Sequence, residues 1–144
     1  MNKIGEFFLS MLFVFVYYIT LDMSMITIYT NNAFGKMIKK IQNGENMKTN
    51  MIYGLICFIL LAFGLNYFVV DKIDENNIVR DAAKYGIPFG LVVYGTYDLT
   101  NLATFHKYNL QTAIIDILWG GVLGFVVSLA VKYTMVAIKR RENL

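Results

Sequence analysis

The chain has 144 residues, 57% of them apolar, with 13 basic and 10 acidic side chains, a net charge of +3 and a mean hydropathy of +0.51. Only 16% are charged, where a soluble domain carries about a quarter, and a soluble fold would leave much of this apolar surface in water. That excludes a soluble enzyme or a nucleic-acid binder, which needs a continuous basic face, and one domain accounts for the length.

The N-terminus reads "MNKIGEFFLSMLFVFVYYITLDM". Its apolar stretch is longer than a signal h-region, and no small-x-small cleavage site follows, so it is expected to be a retained first span, about 7–29. The first loop, "NNAFGKMIKKIQNGENMKTN", places Phe34, Met37, Ile38 and Ile41 at i, i+3, i+4 and i+7, with Lys36, Lys39 and Lys40 off that face. This spacing predicts a short amphipathic helix lying on the membrane surface. A second span covers about 51–70. It contains the only cysteine, Cys57, so no intramolecular disulfide exists and the thiol is read as a small buried hydrophobe. The second loop, "DKIDENNIVRD", is acidic and polar. A third span covers about 82–103. The loop "TFHKYN" that follows is tight enough to make the third and fourth spans antiparallel neighbours, with His106 and Lys107 at its mouth. The fourth span covers about 110–131.

Each of these stretches approaches the roughly 20 residues a helix needs to cross the bilayer, and the alternating ten-residue patterns of a barrel are absent. The fold class is therefore all-α, a single transmembrane domain over residues 1–144 with four helices in an antiparallel bundle. Four crossings put both termini and the second loop on one side. Eight basic residues lie there (Lys3, Lys72, Arg80, Lys84, Lys132, Lys139, Arg140, Arg141) and five on the other. The positive-inside rule assigns the termini to the cytoplasm, against the pull of the lysine-rich first loop.

Spans one, three and four each carry an aspartate: Asp22, Asp98 and Asp116. A mid-span Asp costs about 2.5–3.5 kcal/mol on insertion scales, less near the interface. Reflecting span four onto span three about the tight loop puts Asp98 level with Asp116, each roughly 9 Å inside the membrane edge, and Asp22 roughly 12 Å inside the same edge. On span three Gly90, Tyr94, Tyr97, Asp98 and Asn101 form one stripe; on span four Ala113, Asp116, Gly120 and Gly124 form another; on span one Tyr18, Asp22, Met25 and Tyr29 share a face. The reflection pairs Gly90 with Gly124 and Tyr94 with Gly120. Gly86-xxx-Gly90 and Gly120-xxx-Gly124 are small-xxx-small patterns that allow close helix approach. The faces are expected to meet in a polar cluster of Asp22, Asp98, Asn101, Asp116, Tyr94 and Tyr97. No Lys or Arg lies at that level, so at least one carboxyl holds a proton near neutral pH unless a cation is bound. Trp119 and the mid-span Phe and Met residues are assigned to packing and lipid contact.

The residues "FGLVVYGTYDLTNLATF" and "DILWGGVLG" resemble the signature of a family of small membrane proteins of unknown function, DUF2177. The shared pattern is Y-x-x-Y-D-L-T-N-x-A, then D-x-x-W-G about fifteen residues on. Tyr94, Tyr97, Asp98, Thr100, Asn101, Ala103, Asp116, Trp119 and Gly120 match it. Asp22, Tyr53 and Gly64 extend the likeness over nearly the whole chain, although the Trp that often follows the first aspartate is missing. The resemblance implies a multi-pass membrane protein, with relatives in bacteria and in large DNA viruses, and carries no activity across.

Three functions stay open on these residues. The first is a proton or cation site of intramembrane carboxylates in a small transporter or channel, in a homo-oligomer because four spans seldom enclose a pore. The second is a structural membrane or envelope component, in which the polar cluster is interhelical glue and the protein acts through assembly with membrane partners. The third, ranked last, is an intramembrane enzyme: one His, one Cys and no G-x-S-x-G supply no nucleophile–base set. No cofactor, resident metal or nucleic acid is called for, and the partners expected are membrane lipids, further copies of the chain or other membrane proteins.

Overall fold

The computed structural model describes residues 2–29, 33–46 and 48–142, apart from the side chains of Ile26 and Tyr29. Among these residues every regular element is helical: α1 (Lys3–Tyr29), α2 (Gly35–Ile41), α3 (Met51–Phe68), a 3₁₀ turn (Val70–Lys72), α4 (Ile78–Asp81), a π-helical stretch (Ala82–Gly86), α5 (Ile87–Thr104) and α6 (Leu110–Glu142).

Three helical stretches are long and apolar enough to cross a membrane: Lys3–Met25, Met51–Lys72 and Leu110–Glu142. Their faces are sorted in an inverted sense. α1 buries Ser10, Val14, Tyr18 and Asp22, four residues apart, and exposes Ile4, Phe8, Leu12 and Val16 at the same spacing. The outer stripe is wholly apolar and the inner one half polar. α6 likewise exposes Leu110, Ile114, Leu118, Val122 and Val126, while Ala113, Gly120, Gly124 and Ser128 face inward. A face of that kind is stable against lipid and not against water. Cys57 lies on the exposed side of α3, away from its buried Ala62, Leu65 and Asn66, so the assignment of the thiol to the interior is corrected.

α5 is 18 residues long and does not join the three, because Thr96, Tyr97, Asp98, Thr100 and Asn101 dilute its apolar content. It continues α4 and the π-helical stretch, with Pro88 at its first turn, where a missing N–H costs no intrahelical bond. It packs along α6 in the opposite direction: Gly86 lies against Gly124 and Ser128, Gly90 against Gly120, and Tyr94 against Gly120. A Cβ at Gly90 would fall inside the Gly120 carbonyl, and one at Gly124 inside that of Gly86. A Cβ at Gly124 would also lie 3.2 Å from Gly90 N, so Gly90 seats between Gly120 and Gly124 and the pairing expected from the reflection is met alongside a second one.

α1 and α3 are tied by Asn66, whose Nδ2 donates to the Phe7 carbonyl (3.2 Å) while its Oδ1 accepts from Ser10 Oγ. Tyr17 and Thr134 hydroxyls meet at 3.0 Å between α1 and α6, and Lys139 reaches Glu6 at 2.8 Å. The second loop is more than polar, since Ile73 and Ile78 are buried in the main core beside Val70, Ala82 and Met135. α6 runs eleven residues past the expected end of its span, through residues 132–142.

Candidate functional site

The polar interior is built at the end of the molecule where α5 turns into α6. α1 contributes Asp22, which is 8% exposed. Its Oδ1 accepts from Tyr94 Oη at 3.0 Å and from Trp119 Nε1 at 3.1 Å. Tyr18 Oη donates to Tyr94 Oη at 3.4 Å, so a short chain of hydroxyls leads to the Asp22 carboxylate from α1 and α5. Trp119 therefore does more than pack. Its indole N–H, which needs a partner when buried, ties α6 to α1.

The second part of the site is Asp98, with no solvent exposure. Its Oδ1 accepts a short hydrogen bond, 2.7 Å, from Tyr108 Oη. Among the described residues no fixed donor reaches its buried Oδ2, and the Asp116 carboxyl lies in hydrogen-bonding reach of Asp98. Asp116, on α6, is the nearest carboxyl and is half-buried. A carboxylate oxygen without a fixed donor in a dry interior is costly, and here it lies beside a second acid.

Tyr108 belongs to the five-residue connection from Phe105 to Asn109 and is itself buried. What buries it is α2. Met37 is 4% exposed and packs with Tyr108 and Ala113, flanked by Phe34, Ile38, Ile41 and Leu102. The amphipathic helix expected in the first loop thus turns its apolar face onto the protein, over the tyrosine that holds Asp98. Asn109 N–H points at Met37 Sδ (3.1 Å), and Lys107 Nζ donates to the Lys40 carbonyl (3.2 Å), closing the same seam from the other side. α2 ends where Asn43 and Gly44 take positive φ, 53° and 98°, with Gly44 N–H bonded back to the Lys39 carbonyl. His106 is exposed beside this seam.

Of the residues expected in the cluster, Asp22 with Tyr94 and Asp98 with Asp116 are brought together. Asn101 is half-buried at its edge, and Tyr97, although 53% exposed, keeps its hydroxyl in reach of Asn101 and Tyr108 beside Asp98. Tyr29's side chain, expected on the Asp22 face, lies outside the described residues. Among those residues no group of three or more His, Cys, Asp or Glu side chains is placed to hold a metal ion, so the three aspartates do not form one carboxylate shell. Tyr18 reaches the cluster from the face it was expected to share with Asp22, whereas Trp119 and Tyr108 make contacts in it that the sequence did not assign. Only Trp119 was signalled, by its place three residues after Asp116 in D-x-x-W-G.

Apolar outer faces, polar inner stripes and three helices of crossing length define a helical integral membrane protein. Residues 7–133 match the family described as predicted membrane protein (DUF2177), and the chain belongs to that family. No curated protein and no solved structure matches the chain.

Proposed function

We propose that this protein crosses the membrane four times and exchanges a proton through the Asp98–Asp116 pair as one step of a proton-linked transport activity. The observation that carries the reading is the wholly buried Asp98, whose Oδ2 meets no fixed donor among the described residues and whose carboxyl lies in hydrogen-bonding reach of Asp116. Two carboxyls this close in a poor dielectric share a proton, since both cannot be charged without a cation, and intramembrane acids mark ion and proton pathways. Among the described residues no three-ligand group is formed, which favours the proton over a coordinated cation. Tyr108 supplies the route toward the α2 face, because its hydroxyl touches Asp98 and only α2 separates it from that surface.

α5 is the fourth crossing on this reading. It lies backbone to backbone against α6 at Gly86 and Gly90 and stays packed on it through the Tyr94 side chain, and α6 has the length and composition to span. The two helices thus share one depth. Both termini and the Ile73–Asp81 segment then lie on one side, assigned to the cytoplasm by the eight basic residues there. Four helices enclose no pore in one copy, so the working unit is a homo-oligomer.

A second reading, interhelical glue in a structural or envelope component, is favoured at Asp22, which has two donors. One experiment separates the two. Proteoliposomes with an internal pH dye are compared for wild type and Asp98→Asn. Proton flux in the wild type, absent from a folded mutant, supports the transport reading. Absence of flux in both rejects it and leaves assembly as the function.

A further inference from the structure

The chain has thirteen basic residues, but only three arginines: Arg80, Arg140 and Arg141. All three line one open groove of about 740 Å³ at the end of the molecule far from Asp22, Asp98 and Asp116, between the start of α4 and the C-terminal turns of α6. They are sixty residues apart in sequence and are brought together by the fold. Lysine serves everywhere else on the surface. Guanidinium differs from ammonium in presenting a rigid fork of donors that matches phosphate oxygens in pairs.

The groove is also two-sided. Val79 and Tyr133 are 53% and 51% exposed there, and Val136 and Ala137 continue the wall down α6 toward Val131, where its long apolar run ends. At 1.5 Å per residue α6 is about 50 Å long, against about 30 Å of hydrocarbon, so its last ten or so residues pass through the headgroup layer. The one carboxylate in the lining, Glu75, faces Lys139 at 3.9 Å, and Arg80 is braced by its Nε on Asp81 (3.0 Å) while its side chain stays 69% exposed. Backbone N–H of Asp74 and the same guanidinium hold the Asp81 carboxyl below its ordinary range, keeping it a charged brace.

We infer that this groove binds the phosphate headgroup of an anionic phospholipid, with the three guanidiniums on the phosphate and the Tyr133–Val136 wall along the first acyl carbons. A free phosphate would use the arginines but gain nothing from that wall.

The test measures lipid retention by native mass spectrometry, and melting temperature, for the full chain in neutral detergent with added phosphatidylglycerol, phosphatidylcholine or inorganic phosphate. Phosphatidylglycerol is expected to bind and raise the melting temperature, and each Arg→Gln substitution to weaken it about fivefold, the effect of one basic residue at an anionic surface. Arg140→Gln with Arg141→Gln, and Arg80→Gln separately, are set against Lys36→Gln/Lys39→Gln/Lys40→Gln, which removes charge at the opposite end. Melting without lipid shows that each variant is folded. Should Arg80→Gln fail that check, Arg80→Lys, which keeps charge and loses the fork, replaces it and is expected to weaken binding. Equal binding of phosphatidylcholine, equal loss in the lysine variant, or full stabilisation by inorganic phosphate alone would each overturn the assignment.

Discussion

Alanine at two glycines of α5, five residues apart, is expected to act with opposite sign. At Gly90 the new methyl would overlap the Gly120 carbonyl, which is backbone in a helix packed on both sides. Relief requires α5 and α6 to separate. Overpacking costs about 1–3 kcal/mol when side chains can yield, and the upper end applies where only backbone can move. Removing a helix-interior glycine returns about 0.5–1 kcal/mol, so the net loss is about 2 kcal/mol. At Gly95 the methyl would meet Ile117 Cγ2 at 4.0 Å, an ordinary contact, and the propensity gain of about 0.5–1 kcal/mol survives. The two variants should therefore differ by about 3 kcal/mol in reversible unfolding by denaturing detergent, followed by circular dichroism. The order of the two, more than either value, tests the packing. If Gly90→Ala unfolds within about 0.5 kcal/mol of wild type, the range of an inconsequential surface change, the close approach of α5 and α6 is refuted.

Trp119→Phe removes one of two donors to Asp22 and should cost about 0.6–1.7 kcal/mol, the range for hydrogen bonds between membrane helices; Tyr94→Phe should cost a similar amount, and a double-mutant cycle should show the two coupled through Asp22. Tyr108→Phe leaves both Asp98 oxygens without a fixed donor, so labelling of Asp98 by an apolar carbodiimide should rise, and unchanged labelling would deny that the tyrosine holds the carboxyl. Met37→Ser should loosen α2 from Tyr108 and speed amide hydrogen exchange over residues 105–109, while Lys36→Ser on the outer face should not. The Asp81 carboxyl is held below its ordinary value, first by the Asp74 N–H and then by Arg80. Its folded value is the lower one, so its stabilisation is fully present above the ordinary value of 3.8 and is lost as pH falls through the depressed value. Melting temperatures of wild type and Asp81→Asn should converge over that acidic window and stay apart at neutral pH.

Much of the arrangement is legible from spacing. The Phe34–Ile41 periodicity marks α2, the four-residue spacing of Ser10, Val14, Tyr18 and Asp22 runs down the inner side of α1, and a five-residue connection puts Asp98 and Asp116 at one depth. Phase is harder to read. Tyr97 and Tyr94 both satisfy a three- or four-residue stripe with Asn101 or Asp98, yet adjacent positions differ by about 100° around the helix, and only packing on α6 decides that Asp98 is enclosed while the Tyr97 ring stays half exposed, with its hydroxyl at the edge of the cluster. Tyr108 is illegible because a loop residue has no periodicity; its burial depends on α2 folding back from seventy residues upstream. Asn66 is similarly silent in an apolar run, since nothing local shows that Ser10 and the Phe7 carbonyl wait opposite it.

The backbone contact between α5 and α6 also bears on how the chain enters the bilayer. α5 carries the least favourable composition for insertion, yet it is the helix whose neighbour comes closest. Left alone in lipid it would expose the Asp98 carboxyl and a line of bare glycine backbone. If α5 is the proposed fourth crossing, its link to α6 through residues 105–109 lets it be delivered as a hairpin whose apolar half carries the polar half across. In the four-crossing arrangement the glycine stripe is then an assembly instruction as well as a packing surface. The translocon would meet α5 first and hold it until α6 emerges, so a substitution that prevents the pairing would reduce the amount of protein inserted as well as the stability of what is.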